Sequence, residues 1–155
     1  MLWPDWDNPI AFLPVQEGEV RSPDGKSKEN PTEAFWVSRI LEELLDGGEL
    51  KMSDIGIITP YAGQVRAIRD SMPERLESVE VRTVDGYQGR EKEVIIFSCV
   101  RSNADGNVGF LADPRRLNVA LTRARRGLIV IGDPDTLRNR RDLGGLAGIH
   151  TESQP

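Results

Sequence analysis

Five short apolar runs, at residues 10–15, 55–59, 79–84, 94–100 and 128–131, are separated by stretches whose apolar residues recur at helical spacing. Strands of four to seven residues alternating with helices leave few options. Consecutive strands joined by helices run parallel, and the helices must cover both faces of the sheet. The run at 94–100 is apolar throughout, which predicts burial on both faces. The expected fold is therefore α/β, a mostly parallel sheet with helices on both sides. Ligands on such sheets bind beyond the carboxyl ends of the strands, where Thr59, the turn after residue 84 and Gly132-Asp133 fall.

The helices are marked by their ends. Asn30-Pro31-Thr32-Glu33 combines a capping side chain, a proline at the first position and a reciprocal glutamate. Phe35, Val37, Ile40, Leu41, Leu44 and Leu45 supply the face that follows, and Gly47-Gly48 ends it. A second helix spans 63–72, and Asp133 or Asp135 caps a short one near Leu137. Residues 17–29 are polar, contain Gly and Pro, and read as a loop. Residues 1–8 look like a connector, 9–140 one domain, and 141–155 a frayed tail.

The segment from Asp113 to Arg125 begins with an N-cap aspartate followed by Pro114. Read as a single helix, it gathers Leu117, Ala120, Leu121 and Ala124 into an apolar wedge. Arg116 and Arg123 then lie on one flank, and Asn118 and Arg125 on the other. Guanidinium forks along a close-packed helix suit phosphate recognition. The same pattern also describes an ordinary amphipathic surface helix with its arginines in water. The net charge of −5 argues against a dedicated nucleic-acid-binding domain, but the cations concentrate between 115 and 126, as in a protein meeting phosphate at one place.

A phosphate cradle is missing. Gly25-Lys26-Ser27 has the ending of a phosphate-binding loop, but the earlier glycine that such a loop needs is Val20, and Pro23 interrupts it. Residues 128–133 have the profile of a strand ending in a Mg²⁺-binding aspartate, yet without that loop Asp133 reads as a helix cap. Cys99, the only cysteine, excludes an internal disulfide and reads as a small buried hydrophobe. No leader and no long apolar run is present, so an intracellular location (nucleus or cytoplasm) without membrane insertion is expected.

Three blocks in order carry a resemblance. Ile57-Ile58-Thr59-Pro60-Tyr61-Ala62-Gly63-Gln64 resembles motif IV of superfamily-one helicases. Val84-Asp85-Gly86-Tyr87-Gln88-Gly89-Arg90-Glu91 resembles motif V, and Asp113 to Arg125 motif VI. The likeness runs from about Pro9 to Asp135, and it is to the branch holding the nonsense-mediated-decay RNA helicase and its DNA-replication relatives. It implies a RecA-like fold of the P-loop NTPase type, the second of two such domains and lacking its own P-loop. ATP with Mg²⁺ would then be held mainly by a first RecA-like domain absent from this chain.

By the same resemblance, Arg123 is the arginine finger. Gln88, Gly89 and Glu91 join it at the nucleotide, with Glu91 accepting from ribose hydroxyls. Thr59 and Thr83 contact the backbone of single-stranded RNA or DNA, Tyr61 stacks on a base, and Arg101 and Asn103 line the same path. Tyr87 is a further stacking candidate, and Arg116 an ion-pair partner. Each residue has a plainer alternative: strand threonine, packing tyrosine, solvated glutamate, turn glycine beside an exposed amide. The implied function is the C-terminal motor half of an ATP-dependent RNA or DNA helicase moving 5′ to 3′, inactive as an ATPase on its own. A free-standing nucleic-acid-binding or regulatory module is the alternative, and a self-sufficient nucleotide-binding domain a weaker one.

Overall fold

A computed structural model of the chain describes residues 10–87, 90–103, 106 and 108–137. Its main sheet contains β1 (Ile10–Pro14), β4 (Ile55–Thr59), β5 (Glu80–Thr83), β6 (Lys92–Ser98) and β7 (Ala124–Gly132). They lie in the order β1-β7-β6-β4-β5, with every neighbouring pair parallel. A separate antiparallel pair, β2 (Val20–Arg21) and β3 (Lys28–Glu29), forms a hairpin within the stretch expected to be loop. Its polar, Gly/Pro-containing sequence has no alternation to announce a strand.

Alternation along the strands divides the core. Ile55, Ile57, Val94, Ile96, Ile129 and Ile131 face α1 (Pro31–Asp46) and α2 (Ala62–Ser71), meeting Val37, Leu41, Leu44 and Ile68. Phe12, Ile58, Ile95, Phe97, Leu128 and Val130 face the other way, against Ala120 of α3 (Pro114–Leu121) and Leu137 of α4 (Pro134–Leu137). Each such side chain contributes about 1.5–3 kcal/mol by leaving water. The first helix begins with Asn30 Oδ1 accepting from the Glu33 N–H (3.0 Å), and it ends at Asp46, followed by the cap Gly47 and then Gly48, whose φ of 80° needs glycine. Cys99 is buried immediately after β6, and burial pushes its thiol well above the usual range.

The single helix expected from Asp113 to Arg125 is corrected. The helix ends at Leu121, where the Thr122 hydroxyl donates back to the Asn118 carbonyl (2.9 Å). The chain then enters β7 at Ala124, which lies in register with Lys92 of β6. Arginine and alanine favour helix locally, but a β6 edge awaiting ladder hydrogen bonds decides the state. Arg123 is thus a junction residue and Arg125 a strand residue. The idea that they occupy opposite flanks of one helix fails.

The segment from Thr83 to Lys92 has its own consequence. It leaves β5 at the carboxyl edge of the sheet and enters the parallel strand β6 at the amino edge, with β4 between them. No helix among the described residues makes this crossing. Tyr87, near the start of the crossing, is buried in the same core cluster as Ile58 and Ile95. A Cβ on Gly56 would come within 2.7 Å of its hydroxyl.

Candidate nucleic-acid and nucleotide faces

The expected site residues separate onto the two edges of the sheet. Thr59, Tyr61, Thr83, Arg101 and Asn103 lie at or just beyond the carboxyl ends of strands, whereas Glu91 and Arg123 immediately precede β6 and β7 at the amino edge. A strand of about five residues puts roughly 17 Å between the two edges. Gln88 and Gly89 lie outside the described residues, as do the side chains of Arg116 and Leu117.

At the carboxyl edge, Thr59 and Thr83 are register partners ending β4 and β5. Thr83 Oγ1 accepts from the Gly86 N–H (3.1 Å), while the buried Thr59 Oγ1 has no hydrogen-bond partner. Tyr61 caps α2 and is buried, and its hydroxyl accepts from Arg101 Nη1 (2.9 Å). Arg101 is buried too, and its Nε donates to Glu19 Oε1 (2.9 Å). Burial works against that charge, but the bonds to Tyr61 and Glu19 outweigh it and raise the guanidinium's pKa. On Glu19, burial is likewise outweighed, here by hydrogen bonds from the Ser102 N–H, Asn103 and Arg101, so its carboxyl is held low. Arg101 and Asn103 therefore stand beside the expected path as braced residues, with Glu19 the acid that braces both.

The loop holding them is strained. Val100, β-branched and buried, sits at φ 72°, in the left-handed region that such residues avoid. Its N–H donates to Glu33 Oε1 (2.9 Å), and its carbonyl accepts from Asn30 Nδ2 (2.9 Å). Glu33 was expected to bond back to the Asn30 backbone. Instead it turns inward, accepting also from Ser98 Oγ (2.7 Å), while the Asn30 N–H goes to Gln64 Oε1 (2.7 Å). Burial raises the Glu33 carboxyl to about 8, against the bonds from Val100 and Ser98.

Sequence reading missed the hairpin's part in this face. Gly63 N–H donates to Ser27 Oγ (3.0 Å), and a Cβ on Gly63 would lie 2.9 Å from the Lys28 carbonyl, so only glycine lets the hairpin seat on α2. A cavity of about 1250 Å³ opens between them, lined by Arg21, Lys26, Tyr61, Arg66, Thr83 and Arg101 among others. The only sequence signal was a cluster of cations in a stretch with no periodicity. Gly25-Lys26-Ser27 forms the hairpin tip and does not link a strand to a helix, as a phosphate-binding loop would.

The amino edge is built differently. Arg125 donates through Nε to Glu91 Oε1 (3.4 Å) and lies 3.8 Å from Glu93, while Arg126 donates to Glu93 (2.7 Å). Glu80 collects Arg82, Arg90 and Lys92 at 3.5–3.6 Å. Arg123 belongs to neither group. Its carbonyl accepts from the Lys92 N–H (3.0 Å), but its side-chain Nε is buried with no hydrogen-bond partner. The Tyr87 hydroxyl is also buried and unpartnered, and burial followed by the Glu80 charge pushes it up to about 12. Asp133 caps α4, accepting from the Asp135 N–H (2.9 Å) and from Ser102 Oγ (2.7 Å). Among the described residues no group of three His, Cys, Asp or Glu is placed to hold a metal, and no helix is long and apolar enough to cross a membrane.

Residues 1–135 match the AAA domain family. The chain is 46% identical over 142 residues to the regulator of nonsense transcripts 1 homolog of Neurospora crassa, covering 87% of this chain and 13% of that protein. To the homolog of the same name in Drosophila melanogaster it is 45% identical over 157 residues, 97% of this chain and 13% of the relative. DNA-binding protein SMUBP-2 of Rattus norvegicus is 45% identical over 134 residues, 86% of this chain and 14% of its own length. The chain thus spans about one seventh of the curated relatives it matches.

Proposed function

This chain belongs to the superfamily-one helicases, as a RecA-like AAA domain of the nonsense-transcript-regulator and SMUBP-2 branch, and from that premise we propose that it works as the C-terminal motor half of an ATP-dependent RNA or DNA helicase. The observation that carries the reading is Arg123. Its guanidinium has a buried Nε without a hydrogen-bond partner among the described residues, on a junction pinned by a sheet hydrogen bond. It fits an anion presented by another domain. ATP with Mg²⁺, held mainly by an N-terminal RecA-like domain, would supply the scissile phosphoanhydride and the developing charge that an arginine finger stabilises. Glu91, half exposed and bonded at 3.4 Å to Arg125 among the described residues, can exchange that partner for a ribose hydroxyl. Gln88 and Gly89 belong to the same face in this reading.

At the other edge, Thr59, Tyr61, Thr83, Arg101 and Asn103 flank the path of a single strand. Hydroxyl contacts there position a backbone without reading sequence. The Thr83–Lys92 segment joins both edges directly, so a displacement at Arg123 and Glu91 has a short route to Thr83. The test is a two-domain enzyme in which this chain is joined to a P-loop-bearing RecA-like half. Arg123→Ala should lower kcat roughly a thousandfold or more while oligonucleotide affinity stays nearly constant, and Arg123→Lys should restore little, since an ammonium lacks the planar fork. Arg125→Ala losing more kcat than Arg123→Ala, with folding intact, would reverse the assignment. No stimulation of ATPase by this chain would favour a binding module without a motor role.

A further inference from the structure

We propose that Tyr87 is a positioning residue for Arg123: its hydroxyl accepts the Arg123 Nε–H once a nucleotide engages the guanidinium, leaving both Nη groups to the phosphate. The proposal rests on Arg123 being the finger and adds the group that aims it. Among the described residues three buried side-chain polar atoms lack a hydrogen-bond partner, and two of them are the Tyr87 hydroxyl and Arg123 Nε. A buried donor or acceptor left unmade is costly, so each of the two calls for a partner. One is a donor whose direction the planar fork fixes, and the other is a hydroxyl able to accept.

The fold brings the two to one place. The Val84 N–H donates to the Thr59 carbonyl (3.0 Å) and the Tyr87 N–H to the Val84 carbonyl (3.3 Å), so the Tyr87 backbone is held at the carboxyl edge. Its hydroxyl lies at the level of Gly56, near the other end of β4, where a Cβ would meet that oxygen at 2.7 Å and Lys92 Cγ at 3.1 Å. The ring therefore reaches along β4 toward the amino edge. Arg123 is pinned beside the same spot. Its carbonyl accepts from the Lys92 N–H (3.0 Å), and its N–H donates to the carbonyl of Ala120 (3.3 Å), which is buried in the same cluster as Tyr87. Burial and then the Glu80 charge push the phenol up to about 12, while the charges of Arg90 and Arg123 pull against that rise. The carboxylates of this edge are engaged elsewhere, Glu91 and Glu93 with Arg125 and Arg126, and Glu80 with Arg82, Arg90 and Lys92. A neutral acceptor also does what they cannot. A carboxylate on Arg123 would offset the charge meant for the phosphate, whereas a phenol protonated at neutral pH directs the fork and leaves its charge whole.

Kinetics of the two-domain enzyme test this. Tyr87→Phe should lower kcat roughly tenfold, as loss of one hydrogen bond to a charged group requires, with KM for ATP and thermal melting unchanged. Arg123→Lys has no Nε–H, so adding Tyr87→Phe to it should slow turnover no further. With ADP and aluminium fluoride bound, the Arg123 Nε–H should give a slowly exchanging proton NMR signal that Tyr87→Phe abolishes. Full kcat in Tyr87→Phe, while Arg123→Ala still lowers it, would overturn the positioning role and leave the finger standing. Equal slowing by Tyr87→Phe in the wild-type and Arg123→Lys backgrounds would overturn it as well, because the hydroxyl would then act on something other than Arg123. If Arg123→Ala keeps full kcat, the finger and the positioning role fall together.

Discussion

The two edges of the sheet hold their charges in opposite ways. At the carboxyl edge Arg101 is buried and the Glu19 side chain is only 10% exposed, and each has several fixed partners. At the amino edge Arg125 and Glu91 are 57% and 51% exposed and meet at 3.4 Å, while Arg123 keeps a buried nitrogen unpartnered. Buried, multiply bonded groups set a geometry and keep it. Exposed pairs contribute little to stability and change partners cheaply. The contrast suits the roles proposed above, one edge a preformed track and the other a contact surface completed by a neighbour.

The contrast breaks most decisively at Asn30. Its side chain accepts from Glu33 and donates to Val100 and Glu17, so Asn30→Ala strips a cap and leaves the Val100 carbonyl unpaired. A loss of about 2–4 kcal/mol is expected in urea unfolding, against about 1 kcal/mol or less for Arg125→Ala. Comparable losses at both positions would erase the distinction between the edges.

Glu33 sharpens it through pH. Its folded carboxyl at about 8 lies above the ordinary 4.5, so folding takes up a proton. The associated stability is full where both states are protonated and is lost as pH rises through the window from about 4.5 to about 8. Glu33→Gln removes the titration. Denaturation midpoints of wild type should therefore fall relative to the variant across that window and run level above it. Parallel curves would show that Glu33 stays ionised throughout.

A smaller effect is expected where the edges are joined. Gly56→Ala should cost about 1–3 kcal/mol because its methyl meets the Tyr87 hydroxyl. Tyr87→Phe alone should be nearly neutral, since that hydroxyl has no partner to lose, and should recover part of the Gly56→Ala cost. Strict additivity in a double-mutant cycle would mean that Tyr87 does not press on β4.

What was legible in the sequence follows from how local each cause is. The run at 55–59 appeared as β4 with the same bounds, because a short stretch that is β-branched apart from Gly56, between Asp54 and Pro60, has few alternatives. The Asn30-Pro31 start was equally clear, since a cap acts within three residues. The end of α3 was not, because Ala124-Arg125 becomes strand only through pairing with a β6 edge some thirty residues earlier. The burial of Arg101 was hidden for the same reason. Its partner Glu19 lies 82 residues away in sequence, in a stretch without periodicity. The edges on which the candidate residues fall emerge only from strand order, which no single motif encodes.

Val100 also bears on the order in which the molecule assembles. Alone, a valine prefers extended backbone, and the left-handed region costs it about 1–2 kcal/mol. The groups that hold it there sit 70 and 67 residues upstream, at Asn30 and Glu33. The turn presenting Arg101 to Asn103 therefore cannot form from its own neighbourhood. It must wait until α1 has closed over β6, a long-range contact whose loop-closure entropy is met only once the sheet exists. The loop from Val100 to Asn103 is thus a late product of folding, and its shape reports that the domain beneath it is complete.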